Sequence, residues 1–299
     1  MRRILSFITL AALIGLAGFW VLTRPATAPD SAFAGLVGDA GAGTDVFWAA
    51  GCASCHAAED ASGDARLVLT GGQAFPSDFG TFHAPNISSD PVRGIGDWTL
   101  PQFATALQNG ISPEGRHYYP AFPYTAYRLM TAQDIADLWA FWQTLPASDS
   151  PSLPHDVGFP FSIRRLVGGW NLLYLQDDFT LQGDLTAQVQ RGRYLSEALS
   201  HCAECHTPRD GFGGLRRDAW MAGAPDLSDP SGQARVPALT PDDLTWSPAD
   251  IAAYLNDGFT PSFDTAGGHM VSVIRNLAML PASDRDAIAA YLKALPTAP

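Results

Sequence analysis

Two five-residue strings, CASCH at Cys52–His56 and CAECH at Cys202–His206, stand 150 positions apart and use all four cysteines of the 299-residue chain. Other landmarks recur in the same order. DIADLWAFWQTLP ends at Pro146 and RDAIAAYLKALP at Pro296, again 150 apart, while DWTLPQFATALQNG is answered by TWSPADIAAYLNDG with Trp98 and Trp246 offset by 148. A sequence that repeats four landmarks in order encodes the same unit twice, and each unit must fold around its own cysteine string.

The spacing inside the strings points to their chemistry. Two thiols three positions apart with a histidine directly after them form the C-x-x-C-H signature of covalent c-type haem attachment. Each thiol can make a thioether to a haem vinyl group, and the adjacent histidine is then held as an axial ligand of the iron. A single C-x-x-C can instead be a redox dithiol or half of a zinc site. A histidine in both copies, a helical lead-in to each (TDVFWAAG and GRYLSEALS) and equivalent places in a repeat favour two haems. The expected cofactor-binding residues are Cys52, Cys55, His56, Cys202, Cys205 and His206, with His56 and His206 on the metal and no catalytic side chain.

The sixth ligand is sought among five methionines, Met1, Met130, Met221, Met270 and Met279. Met270 in GGHMVSV lies in a glycine-flanked loop ahead of the last helix and is the expected metal ligand of the second unit. Met279 reads as core, and Met221 comes only 15 residues after His206. In the first unit Met130 is the expected metal ligand, with His117 and His83 as alternatives that would make a bis-histidine centre.

Both units read as helical. Thr99 and Ser247 are N-cap residues, and Gly110 and Gly258 supply the matching stops. Thr131 and Ser283 open the last helix of each unit, where Ile135, Leu138, Trp139 and Trp142 are matched by Ile288, Tyr291 and Leu292 as an apolar stripe. The Gly- and Pro-rich stretch Leu69–Gly96 reads as an ordered loop because it keeps Phe75, Phe79, Phe82 and Ile87. From Ala147 the repeat lapses into the linker-like ASDSPSLPHD and then FPFSIRRLVGGWNLLYL, a helical segment that packs between the units or lies on a membrane surface.

Ahead of the repeat, Arg2 and Arg3 precede 19 uncharged residues from Ile4 to Leu22. About 18 to 20 apolar residues can cross a bilayer, whereas a secretory core has roughly 7 to 15. The segment therefore reads as a retained anchor with its arginines cytoplasmic. The alternative is a long cleaved signal peptide, with Ala26–Ala28 as the small-residue site. Either way the body is exported. That body carries 15 basic and 30 acidic residues after Arg24, which makes phosphate backbones poor partners and excludes a nucleic-acid binder. The expected organisation is an anchor or signal segment at 1–24, a linker at 25–42, a first domain at 43–146, an inter-domain linker with a short helix at 147–187, and a second domain at 188–296.

The strings APNISSDPVRGIGDWTL, ISPEGRHYYPAFPY, FPFSIRRLVGGWNLL, HCAECHTPRDGFGG and AIAAYLKALP resemble the multihaem cytochrome c subunits of membrane-bound alcohol, gluconate and sugar dehydrogenases, and most of all bacterial diheme cytochromes of the c-553 type. The resemblance runs from about Gly43 to Pro296. It implies an all-α fold of two tandem class I cytochrome c domains behind an N-terminal transmembrane helix, with two covalently bound haem c groups. It also implies an inner-membrane, periplasm-facing electron carrier that links a dehydrogenase to a quinone, an oxidase or another cytochrome. A diheme peroxidase or a thiosulfate-type dehydrogenase is the alternative function. Two departures stand out: the dehydrogenase subunits usually carry three haem motifs, and many relatives have methionine where PAFPY has Phe122.

Overall fold

Uninterrupted apolar length decides the first element. Arg2–Leu22 forms one helix, α1, with none of its residues buried. It is long and apolar enough to cross a membrane. The computed structural model describes residues 1–299 apart from 227, 228, 230, 298 and 299. The chain is mostly helical, with two short antiparallel hairpins among the described residues.

The first half runs through α2 (Ala40–Ala50), α3 (Cys52–His56), the strands β1 (Ala74–Ser77) and β2 (Gly80–His83), then α4 (Leu100–Asn109), α5 (Tyr124–Tyr127) and α6 (Ala132–Trp142). A connecting helix, α7 (Arg165–Tyr174), leads to the second half. There α8 (Ala187–Arg193) continues into a π-helical turn over Tyr194–Leu199. It is followed by α9 (Ala203–His206), the strand pair β3 (Ala224–Pro225) and β4 (Arg235–Val236), α10 (Pro248–Asp257), α11 (Met270–Leu277) and α12 (Ala282–Ala294). The hairpin β1–β2, with Phe75 opposite Phe82, lies inside the stretch read from sequence as loop. Its four-residue strands are too short for a period-2 pattern to stand out.

Each half is closed by a pair of crossing helices, and in both a glycine sets the approach. A Cβ on Gly43 would lie 2.0 Å from the carbonyl oxygen of Asp137 in α6, and one on Gly192 would lie 1.8 Å from that of Ala287 in α12. Asp137 and Ala287 are themselves 150 apart. Only a residue without a side chain lets the two backbones touch.

The caps show how local sequence sets the remaining boundaries. Thr99 and Ser247 each make a full capping box, with Gln102 and Asp250 at the third helical position, and Gly110 and Gly258 end their helices in the left-handed conformation. Thr131 caps α6, its hydroxyl accepting from the Asp134 amide. At the equivalent place in the second half the expectation of Ser283 is corrected. Pro281 is the N-cap of α12, so Ser283 lies one residue inside the helix. A proline at that position offers no hydroxyl, but its extended ψ of 146° turns the chain into the helix.

The connecting helix α7 joins three bodies. The Arg165 guanidinium stacks 4.3 Å over the Trp20 ring and donates to the Trp20 carbonyl, which fixes the end of α1. Asn171 accepts from the Tyr124 hydroxyl at 2.7 Å, and the Trp170 indole donates to the Phe212 carbonyl at 2.9 Å. Residues 25–42 are also tied down: the Ala28 amide donates to Thr105 Oγ1 at 3.0 Å, and Asn109 donates to the Ala26 carbonyl at 2.8 Å.

Candidate functional site

The two C-x-x-C-H strings sit in short helices at the ends of longer ones, and several bonds of their surroundings repeat. Gly51, at a left-handed φ of 71°, turns the chain from α2 into α3. His201 plays that part in the second half with a φ of 40°, unusual for a side-chain-bearing residue. In both halves the histidine carbonyl accepts from a glycine amide, Gly71 at 2.7 Å and Gly223 at 2.8 Å. His56 Nδ1 lies 2.9 Å from the Pro85 carbonyl and His206 Nδ1 lies 2.7 Å from the Pro237 carbonyl. A carbonyl can only accept, so Nδ1 carries the proton in both rings and Nε2 keeps its lone pair.

Burial reinforces that state. It lowers the His56 pKa to about 4 and depresses that of His206 as well, so both rings are neutral near pH 7. Burial also pushes the Cys52 and Cys202 thiols up to about 12. All four cysteines are free, and Cys55 and Cys205 are exposed. Among the described residues no group of three His, Cys, Asp or Glu side chains is placed to hold a bare metal ion. The donor set in each half is therefore two unpaired thiols and one imidazole with a free, unprotonated nitrogen. That set fits a covalently attached haem and does not fit a tetrahedral zinc site.

The halves meet through the third residue of each string. Ser54 accepts from Asn276 in α11 at 2.8 Å, and Arg66, stacked 4.5 Å over Trp48, donates to the Asn276 side-chain oxygen. In mirror fashion Glu204, paired with Arg209, accepts from Thr125 in α5 at 2.8 Å. Tyr127 donates to the Ala50 carbonyl at 2.6 Å and packs its ring against His201 with centroids 5.7 Å apart.

The remaining sequence candidates are placed as follows. Met270 is half-buried and is the first residue of α11, a helix where a loop was expected. Met130, the expected ligand of the first unit, is 3% exposed and belongs to the hydrophobic core, directly before the cap of α6. His117 is buried with Nε2 3.0 Å from the Thr23 carbonyl at the end of α1. The amide of His83, in β2, donates to His155 Nδ1 at 3.1 Å. Met221 is fully buried with its backbone bonded to Thr207 and Leu239, whereas Met279, expected in the core, is 53% exposed. Sequence reasoning missed Pro85 and Pro237, because their role is played by a backbone oxygen. Their shared offset of 152, the same as that of Gly71 and Gly223, was the available signal.

The fold and the paired strings define a c-type cytochrome, and a cytochrome c family model matches residues 40–146. The whole chain is 53% identical over 297 residues, 99% of both chains, to a diheme cytochrome c-type protein of Cereibacter sphaeroides. This chain belongs to the diheme c-type cytochromes. It is also 36% identical over 83% of its length to the fructose dehydrogenase cytochrome subunit of Gluconobacter japonicus, and 33% identical over 83% to the cytochrome c subunit of the quinone-dependent alcohol dehydrogenase of Gluconacetobacter polyoxogenes. It spans 51% of the first of these two and 54% of the second.

Proposed function

We propose that the protein is a membrane-anchored electron carrier made of two tandem class I cytochrome c domains, residues 43–146 and 188–296. In this reading Cys52, Cys55 and His56 would hold one haem, and Cys202, Cys205, His206 and Met270 would hold the other. Bound haem supplies a one-electron ferric–ferrous couple.

The chain's own residues do the rest. The Pro85 and Pro237 carbonyls fix the imidazole tautomer and ring orientation, as an outer partner does for a metal-bound histidine. Ser54–Asn276 and Glu204–Thr125 clamp the two attachment strings against each other, so that an electron need not leave the protein to pass between them. A dehydrogenase is the donor and a quinone, oxidase or other cytochrome the acceptor, which the relatives among dehydrogenase subunits support. The apolar length of α1 and the arginines ahead of it support an inner-membrane anchor with the haem domains on the periplasmic side.

The observation that carries this reading is the repeated contact between the Nδ1 of the string's histidine and a proline carbonyl, at 2.9 and 2.7 Å. The test is the mass of protein matured in a host competent for haem attachment. The intact chain should exceed its apo mass by two haems that survive acid–acetone extraction. Cys52→Ala should impair attachment in the first half only, and Cys205→Ala in the second only. A single haem on the intact chain would overturn the reading.

A further inference from the structure

The turns ahead of the last helix repeat their backbone hydrogen bonds at an offset of 148, and one of the positions at which their side chains differ bears on the haems. After Gly110 and Gly258 both halves form the same isolated bridge, Ile111 with His117 and Phe259 with Thr265. Their turns close with the same hydrogen bonds. Ser112 N to Arg116 O (2.9 Å) matches Thr260 N to Asp264 O (2.8 Å), Gly115 N to Ser112 O (2.8 Å) matches Phe263 N to Thr260 O (2.9 Å), and Tyr118 N to Gly110 O (2.7 Å) matches Ala266 N to Gly258 O (2.9 Å). Five residues beyond each bridge, in a register offset of 148, stand Phe122 and Met270. Met130 belongs to a different register. It precedes the cap of α6 as Leu280 precedes that of α12, at an offset of 150, and both are buried in the core.

A phenyl ring has no lone pair to offer a metal, and its aromatic neighbours do not make up for it. Phe122 packs against Tyr118, Tyr124 and Tyr127 with ring centroids 5.9, 6.3 and 5.7 Å away. Tyr127 reaches the backbone two residues ahead of Cys52, which ties this aromatic cluster to the first attachment string. The buried His117 ring is held by its Nε2 on the Thr23 carbonyl at the end of α1, its Nδ1 having no partner, and Met130 is held in the core with its carbonyl accepting from Gln108 at 3.0 Å.

We infer that Phe122 marks an open coordination position on the first haem, a site for a small neutral diatomic ligand, while Met270 closes the equivalent position on the second. This rests on the two-haem reading above. An aromatic surround suits a neutral π-acceptor such as carbon monoxide, because binding it brings no charge into apolar surroundings.

The probe is carbon monoxide added to the dithionite-reduced, two-haem protein, with haem content measured in the same sample. One carbon monoxide per chain, half the haem, is the expected result. In ferric protein the weak red charge-transfer band of thioether ligation should have the intensity of one haem. Phe122→Met should abolish carbon monoxide uptake and double that band, Met270→Leu should raise uptake to two, and Met130→Leu should change neither. Phe122→Leu, which keeps an apolar non-ligand, should retain one carbon monoxide per chain and shows whether the loop tolerates change. Two haems with no uptake overturns this inference alone, as does a site that opens only in Met130→Leu. A haem content other than two overturns the reading beneath it.

Discussion

The helix crossings of the two halves start from the same glycine contact and are filled with opposite chemistry. In the first, Phe47 packs on Phe141 and Trp142 with centroids 5.2 and 6.0 Å away, an apolar cluster. In the second, the counterpart of Phe141 is Tyr291, whose hydroxyl donates to Glu197 at 2.8 Å and accepts from the Trp220 indole at 2.9 Å. Glu197 lies in the π-helical turn, where the chain has gained one residue. Gly43 and Gly192 are 149 apart, while the cysteine strings are 150 apart. A π turn absorbs one inserted residue without shifting either end of the helix. Both halves thus share the glycine contact and the cysteine register, and the π turn of the second holds a buried carboxyl.

Breaking the glycine contact tests what the two crossings share. Gly43→Ala and Gly192→Ala should each destabilise the holoprotein by about 3 kcal/mol in denaturant titrations, because the new methyl must displace a helix backbone. Equal losses would show that the crossings are mechanically equivalent. A negligible loss at either one would separate them.

A smaller effect is expected at the seam. Asn276→Leu removes the partner of Ser54 and Arg66 and should cost about 2 kcal/mol, with the loss concentrated in hydrogen-exchange protection around both cysteine strings. Protection lost in the second half alone would argue that the halves are not clamped through this residue.

The smallest effect distinguishes the polar crossing from the apolar one. Burial raises the pKa of Glu197 above the ordinary carboxyl value. A carboxyl raised in the folded state stabilises most when protonated, so its contribution is full below the unfolded value of about 4.5 and falls as pH rises through the folded value. Glu197→Gln should flatten the stability profile across that window by removing this fall. An unchanged profile would mean that the amides of Thr180 and Leu181 already compensate the charge.

Local signals were legible in the sequence and distant ones were not. Thr99, Gly110, Ser247 and Gly258 were readable because a cap is decided within four residues. Both cysteine strings were readable because their spacing is itself the chemistry. Ser283 and Met279 misled, since a helix start at Pro281 depends on backbone angles and the exposure of Met279 depends on what the fold leaves uncovered. The contacts of the Pro85 and Pro237 carbonyls with the two histidines could not be read from sequence because any residue supplies a carbonyl. Phe122 was visible as an unusual residue, but only the matched hydrogen bonds of the two turns place it opposite Met270 in register.

The docking of α1 has a mechanical consequence. Trp20 is clamped by Arg165, Thr23 accepts from His117, and residues 26 and 28 are bonded along α4, so no free joint lies between the apolar helix and the body. A carrier on a slack leash presents every side of itself in turn to whatever is near. In the anchored carrier proposed above the helix would act as a keel: a tilt of α1 would turn the body with it, and the same edge would face the same way. A partner of that anchored form would meet this edge, and lengthening the chain between Arg24 and Gly38 would do little to widen the reach unless the Arg165 and His117 contacts were cut first.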